Sequence, residues 1–167
     1  GRYLESISAM NELILINPAF GPAFCFKAEA LMLLGRSDDA LDLLESTNSL
    51  YSDNWFYLRE SAKLFFYLGE YENSKIQLEK IQSQFSDYPP ILMWLNATFA
   101  QMDGDSKNKD KYLAQLFEEY NNGSSGSPAW FIAMYYSSLK DYEKAFTWLQ
   151  KSYERHEVEM TWLREEP

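Results

Sequence analysis

Apolar residues recur along this chain at helical spacing, in paired stretches that short polar turns separate. In the first complete pair, residues 22–50, Pro22 begins one helical stretch and Gly35 ends it. The second stretch has apolar residues at the three- and four-residue intervals of a helix, namely Ala40, Leu41, Leu43 and Leu44. This pattern predicts a helical hairpin.

The hairpin pattern returns along the chain. Gly35 and Gly69 lie 34 residues apart, and each is followed by a polar run and a second amphipathic stretch. A period of this length is typical of stacked helical hairpins, each of which buries one face against its neighbour. The chain is therefore predicted to be all-α. The predicted elements are the second helix of an incomplete repeat at 2–18, helical hairpins at 22–50, 55–85, 89–121 and 127–156, and a short capping helix at 157–164.

The fourth hairpin differs from the others at its turn. Lys140 stands where the earlier hairpins have a glycine, followed by Asp141 and Tyr142. At the start of this hairpin, Ser127 is the expected N-cap and Pro128 takes the first helical position. The boundaries of the hairpin are therefore predicted even though the turn glycine is missing.

These features resemble the tetratricopeptide repeat (TPR) family over nearly the whole chain. The small residue before the turn, the turn glycine, the aromatic after it and the alanine of the second helix appear in the family's order. They are Ala28, Gly35 and Ala40, then Ala62, Gly69 and Tyr71, then Ala97 and Gly104, then Ala133, Tyr142 and Ala145. Pro18 stands as the closing proline of the preceding unit, whereas Ser37, Ser74 and Lys140 depart from the pattern.

The resemblance implies an α-α superhelix, a TPR solenoid of about four and a half hairpins that forms a single array over 1–167. Residues 127–167 also resemble the closing repeat of large bacterial signalling and regulatory proteins, in which TPR arrays accompany other domains. We therefore expect a protein-interaction module within a larger protein.

Charge and composition narrow the class of partner. The formal net charge is −10 and the 15 basic residues are scattered, so counterion release from phosphate could supply little affinity for nucleic acid. The sequence has no stretch of about 18 uninterrupted apolar residues, so it predicts no membrane-inserted helix. The expected partner is a protein or peptide, and the compartment stays open, with the cytoplasm favoured.

The sequence offers no set of residues for catalysis. It contains one histidine, His156, and one cysteine, Cys25, which lie in the last and the first complete hairpins. One histidine and one cysteine cannot assemble a structural zinc site, and a solenoid places these two residues too far apart to form a nucleophilic pair. We therefore expect no enzyme activity, no metal and no cofactor.

The resemblance also implies where a partner binds, because first helices line the concave groove of TPR arrays. Helical spacing then places ten residues in the predicted groove: Phe26, Glu29, Phe56, Arg59, Lys63, Trp94, Thr98, Trp130, Phe131 and Met134. Trp94 and Trp130 are candidate hot spots. Arg59 and Lys63, one turn apart, either hold a carboxylate of the partner or pair with nearby glutamates such as Glu60.

A structural role is the alternative to groove binding. In the stretch 2–18, four apolar residues lack the first-helix neighbour that a complete hairpin would supply: Ile7, Met10, Leu13 and Ile14. Either the chain is a piece of a longer array, or this end is covered by a second copy. In the second case the protein would be a spacer or dimerisation stalk that uses its N-terminal end or its convex face.

Overall fold

The computed structural model describes residues 2–86 and 88–164, and within these ranges it contains only helices and their connections. The all-α prediction is confirmed. The chain divides into two compact units, Gly1–Ser86 and Asp87–Pro167, called here the N-terminal and the C-terminal unit. The single array predicted over 1–167 stays a prediction.

The N-terminal unit consists of one helix followed by two helical hairpins. Helix α1 packs on α2, α2 pairs with α3, α2 packs on α4, and α4 pairs with α5. The core of this unit is formed by buried residues of α2, α3 and α4, including Ala28, Leu44 and Tyr57. The helices are α1 (Tyr3–Ile16), α2 (Pro22–Leu33), α3 (Ser37–Asn48), α4 (Trp55–Tyr67) and α5 (Tyr71–Gln84).

The C-terminal unit repeats the same packing scheme. Helices α6 and α7 form one hairpin, α8 and α9 form the next, and α8 packs on both α6 and α7. Helix α7 therefore contacts α8 as α1 contacts α2 in the other unit. The helices are α6 (Pro90–Met102), α7 (Ser106–Asn121), α8 (Pro128–Ser138), α9 (Tyr142–Glu154) and a 3-10 helix (Val158–Trp162).

The turns of all four hairpins use one backbone conformation. Gly35, Gly69 and Gly104 have φ angles of 74°, 83° and 73°, in the left-handed region that glycine adopts without strain. Lys140, at the corresponding position of the fourth hairpin, has a φ angle of 60°. The lysine therefore adopts the conformation that the missing glycine would have had.

The hydrogen bonds of these turns are those of a Schellman motif. In the first turn, Arg36 N donates to Leu31 O at 3.0 Å and Gly35 N donates to Met32 O at 2.9 Å. In the fourth, Asp141 N donates to Tyr136 O at 3.0 Å. The common motif explains why a 34-residue spacing of glycines was visible in the sequence.

The start of α8 is capped by a distant residue rather than by its own N-cap. Ser127 occupies the predicted position but has a left-handed φ angle of 57°, and its side chain makes no capping hydrogen bond. Instead, Ala129 N donates to Glu157 Oε1 at 3.1 Å and Trp130 N donates to Glu157 Oε2 at 2.8 Å. A carboxylate from beyond α9 thus fills the role predicted for Ser127.

The segment after α9 contacts the last hairpin through this glutamate. Its five-residue 3-10 helix falls within the range 157–164 predicted as a capping helix. Of the three apolar residues expected to cap the hairpin, Met160 is half-buried, whereas Trp162 and Leu163 are 44% and 51% exposed. The Glu157 carboxylate therefore joins this segment to the start of α8.

Candidate partner-binding surface

Five of the ten predicted groove residues come together on one surface of the N-terminal unit. Helices α2 and α4, the first helices of two successive hairpins, pack side by side and present this surface. We call it the α2–α4 surface. It comprises the predicted residues Phe26, Glu29, Phe56, Arg59 and Lys63, together with Trp55 and Glu60.

Aromatic rings form one part of the α2–α4 surface. Phe26 and Phe56 meet edge to face with ring centroids 6.2 Å apart, and Phe56 is 36% exposed. The Arg59 guanidinium lies 4.1 Å from the Phe56 centroid and 5.1 Å from that of Trp55. Cation–π attraction of this kind holds the guanidinium in place against the rings.

Ion pairs form the other part. Lys63 Nζ donates to Glu29 Oε1 at 2.8 Å and lies 3.5 Å from Glu60 Oε2. Arg59 Nε donates to Glu60 Oε1 at 2.8 Å. The two bases are therefore matched by two acids, and the four groups together carry no net charge.

The four charged side chains are largely shielded from water. Their exposed fractions are 15% for Glu29, 10% for Glu60, 17% for Lys63 and 23% for Arg59. Burial of this degree fixes the geometry of the network, since each group depends on its neighbours for hydrogen bonds. Local pairing, one of the two alternatives drawn from the sequence for Arg59 and Lys63, is what the structure contains.

Trp55 was not among the residues predicted for this surface. It lies at the first position of α4, so its ring meets the Arg59 side chain one turn later. The four-residue spacing of Trp55 and Arg59 is the sequence signal that could have identified it. Helical spacing also places Glu60 on the inward face of α4, and its contacts with Arg59 and Lys63 make it a member of the network.

Cys25 lies in the core behind this surface. Its Sγ donates a weak hydrogen bond to Tyr57 O at 3.7 Å. Burial raises the pKa of the thiol well above its usual value; Glu60 raises it further, Lys63 partly opposes this, and Glu29 adds a smaller increase. The thiol is therefore protonated at neutral pH and is a packing group rather than a nucleophile.

The five predicted groove residues of the C-terminal unit lie in a different environment. Trp94, Thr98, Trp130 and Phe131 are 2%, 5%, 1% and 5% exposed, and Met134 is half-buried. The rings of Trp94 and Phe131 pack with their centroids 5.6 Å apart. These residues stabilise the packing of α6 and α8, and their contact with a partner stays a prediction.

The described residues contain neither a cluster for a metal ion nor a helix that could cross a membrane. Among residues 2–86 and 88–164, no group of three or more histidine, cysteine, aspartate or glutamate side chains could hold a metal ion. None of the helices in those ranges combines the length and the apolar character that crossing a bilayer requires.

Comparison with known families identifies one repeat directly. Residues 129–155 match the tetratricopeptide repeat family. This range coincides with the hairpin of α8 and α9. Neither the curated proteins nor the solved structures give a match to the chain. The TPR resemblance inferred from the sequence is thus confirmed by the family match to this hairpin and by the repeated hairpins of both units.

Proposed function

We propose that this chain is a non-catalytic protein-interaction module that binds a peptide or partner segment on the α2–α4 surface. Tetratricopeptide repeats generally mediate protein–protein interactions. The observation that carries the proposal is the Phe56 ring, which is 36% exposed beside a fixed and electrically neutral network of four charged side chains.

The chemistry of the surface favours a partner segment with an apolar or aromatic anchor. Such a side chain can cover the Phe26 and Phe56 rings and remove their remaining exposed area from water. The guanidinium of Arg59 has five N–H donors, and those not used by Glu60 can reach carbonyl oxygens of the partner backbone. A carboxylate-rich partner is less suitable, because it would have to compete with Glu29 and Glu60 for the two bases.

Two further parts of the proposal, the larger protein and the extent of the binding surface, rest on the sequence alone. We propose that the chain is part of a larger bacterial signalling or regulatory protein, as the resemblance of residues 127–167 suggests. Extension of the binding surface to Trp94, Thr98, Trp130, Phe131 and Met134 is likewise proposed from the repeat pattern, since these residues occupy first helices.

A peptide selection tests the α2–α4 surface without a known partner. Peptides selected from a random twelve-residue display library on the wild-type chain would be retested by fluorescence anisotropy. Replacing Phe56 and Arg59 together by alanine should lower the affinity at least about tenfold, the range of a hot-spot truncation. Phe146→Ala is the matched control, because Phe146 is a 70% exposed aromatic residue on α9. Equal binding to both variants would remove the proposal.

A structural role is the second candidate, and the exposure of α1 favours it. No residue of α1 is buried, and Leu4, Leu15 and Ile16 are 70%, 84% and 82% exposed. Such a helix could join two copies of the chain into a spacer or stalk. Light scattering over a range of concentrations tests this role, and a monomer at every concentration would exclude self-association.

A further inference from the structure

A second surface of the N-terminal unit lies between α1, α2 and α3 and shares no residue with the α2–α4 surface. It is an open cleft of about 580 Å³. Three apolar side chains, one from each helix, line it: Ile7, Leu31 and Leu43. Leu31 is fully packed with 4% exposure, so the bottom of the cleft is part of the folded core.

The apolar lining of the cleft continues along α1. Leu4, Ile7, Asn11 and Leu15 are spaced by three or four residues and therefore lie along one stripe of the helix. Ile7 and Asn11 line the cleft, while Leu4 and Leu15 at the two ends are 70% and 84% exposed. The stripe spans about 16 Å at the helical rise of 1.5 Å per residue, which is the length of three helical turns.

The two helices on either side of the cleft are strongly acidic. Neither α1 nor α3 contains a lysine or an arginine, but together they contain six carboxylates. Arg2 pairs with Glu5, and Arg36 Nε lies 2.7 Å from Asp39 Oδ2. Four carboxylates remain without an ion pair within the described part of the chain: Glu12, Asp38, Asp42 and Glu45.

Two positive groups line the cleft, Lys27 and Arg36, and Arg36 is paired with Asp39. Lys27 of α2 has no ion-pair partner within residues 2–86. Of the four unpaired carboxylates, Asp42 lines the cleft and the other three lie elsewhere on α1 and α3, so the two helices beside the cleft carry a net negative charge. An apolar strip with acidic borders is complementary to an apolar strip with basic borders.

We propose that this cleft binds an amphipathic helical segment of a partner protein, with a row of apolar side chains flanked by lysine or arginine. The apolar row would pack on Ile7 and Leu43 above the buried Leu31 and cover Leu4 and Leu15, as a helix does in a helical groove. The basic side chains would meet Asp42 and its acidic neighbours. A single acidic residue in the segment would satisfy Lys27.

A pair of synthetic peptides tests the proposal on the full chain. The first is a fifteen-residue helix-forming peptide with leucine at every third or fourth position and lysine on both flanks. The second has glutamate in place of each lysine. Fluorescence anisotropy at low ionic strength should detect binding of the lysine peptide and none of the glutamate peptide.

Three variants locate the binding site. Asp42→Lys should weaken the lysine peptide at least about tenfold, because it turns attraction at the cleft into repulsion. Ser46→Arg, which places a bulky base in the cleft on the exposed side of α3, should weaken it similarly. Glu79→Lys on α5 is the matched control, since it makes the same change of charge on an exposed helix away from the cleft. Its effect should stay below about twofold.

Several results would overturn the proposal. No binding of the lysine peptide to the wild type, or equal binding of both peptides, would remove the charge argument. Equal weakening by Asp42→Lys and Glu79→Lys would mean that only net charge attracts the peptide. Self-association of the wild type that Ser46→Arg abolishes would identify a second copy as the occupant. Circular dichroism of each variant separates these results from loss of folding.

Discussion

The first helices of the two units use the same repeat positions for different purposes. Ten residues before the left-handed turn residue, α4 has Arg59, whereas α6 and α8 have Trp94 and Trp130. Six residues before the turn, α4 has Lys63 and α8 has Met134. The side chains at these positions form ion pairs on α4, but in the C-terminal unit they lie in or beside the apolar core.

This difference shows which part of the repeat is constrained. Seven residues before the turn, all four first helices carry a small residue, namely Ala28, Ala62, Ala97 and Ala133, and each is at most 2% exposed. The close approach of helices requires a small side chain there. The positions one turn earlier and one residue later are free to hold charges or rings, so they can be used either for packing or for recognition.

The largest expected effect compares packing and recognition at one repeat position, ten residues before the turn. Trp130→Ala should lower the free energy of unfolding by about 3–5 kcal/mol, because it leaves a cavity in the core of the C-terminal unit. Arg59→Met, at the corresponding position of α4, should cost less than about 1 kcal/mol, since Glu60 keeps its contact with Lys63. Urea unfolding followed by circular dichroism measures both changes. Similar losses in the two variants would contradict the distinction between the units.

The second expected effect concerns the charge network of the N-terminal unit. Lys63→Met should cost about 2 kcal/mol, below the 3–5 kcal/mol of a fully buried pair, because it leaves Glu29 and Glu60 without their shared base while some solvent contact remains. Adding Glu29→Gln should recover much of this loss. The same unfolding measurement on the two single variants and the double variant gives the coupling energy. A coupling near zero would show that Lys63 acts independently of Glu29.

The sequence predicted the repeat positions well but not their environments. The turns at Gly35, Gly69 and Gly104 were recognisable because glycine tolerates the left-handed conformation, and the fourth was recognisable from the register of its neighbours. By contrast, spacing placed Trp94, Trp130 and Phe56 on equivalent first helices without revealing which rings would be buried. Exposure depends on the neighbouring helices, and periodicity within one helix carries no information on them.

Spacing along the sequence also did not predict the long-range polar contacts. The sequence placed Ser127 at the N-cap of α8, and the position is correct, but the hydrogen bonds come from Glu157. Likewise, Lys63 was considered with nearby glutamates such as Glu60 of its own helix, whereas its shortest ion pair is with Glu29 of α2, 34 residues earlier. Such pairings follow from how helices pack rather than from spacing along one helix.

The third expected effect tests the capping of α8. Glu157→Ala should cost about 1–2 kcal/mol, because it leaves the N–H groups of Ala129 and Trp130 without acceptors at a helix N-terminus. Ser127→Ala should cost only a few tenths, since the serine side chain makes no capping hydrogen bond. Thermal unfolding monitored by tryptophan fluorescence compares the two variants. A larger loss for Ser127→Ala would restore the serine as the cap.

The smallest expected effect comes from exchanging the turn residues of the two units. Lys140→Gly should raise the free energy of unfolding by about 0.5–1 kcal/mol, because it removes the strain of a side chain at a φ angle of 60°. The larger entropy of glycine in the unfolded chain offsets part of that gain.

Gly69→Lys is the reverse change in the N-terminal unit and should destabilise by about 1 kcal/mol. An added Cβ at Gly69 meets no atom within 4 Å, so its cost arises from the backbone conformation and not from a clash. Urea midpoints of the two variants would therefore move in opposite directions if one turn conformation serves both units. Shifts of the same sign would show that the lysine turn is held by contacts of its own, and the four hairpins would then be alike in register but not in the physical basis of their turns.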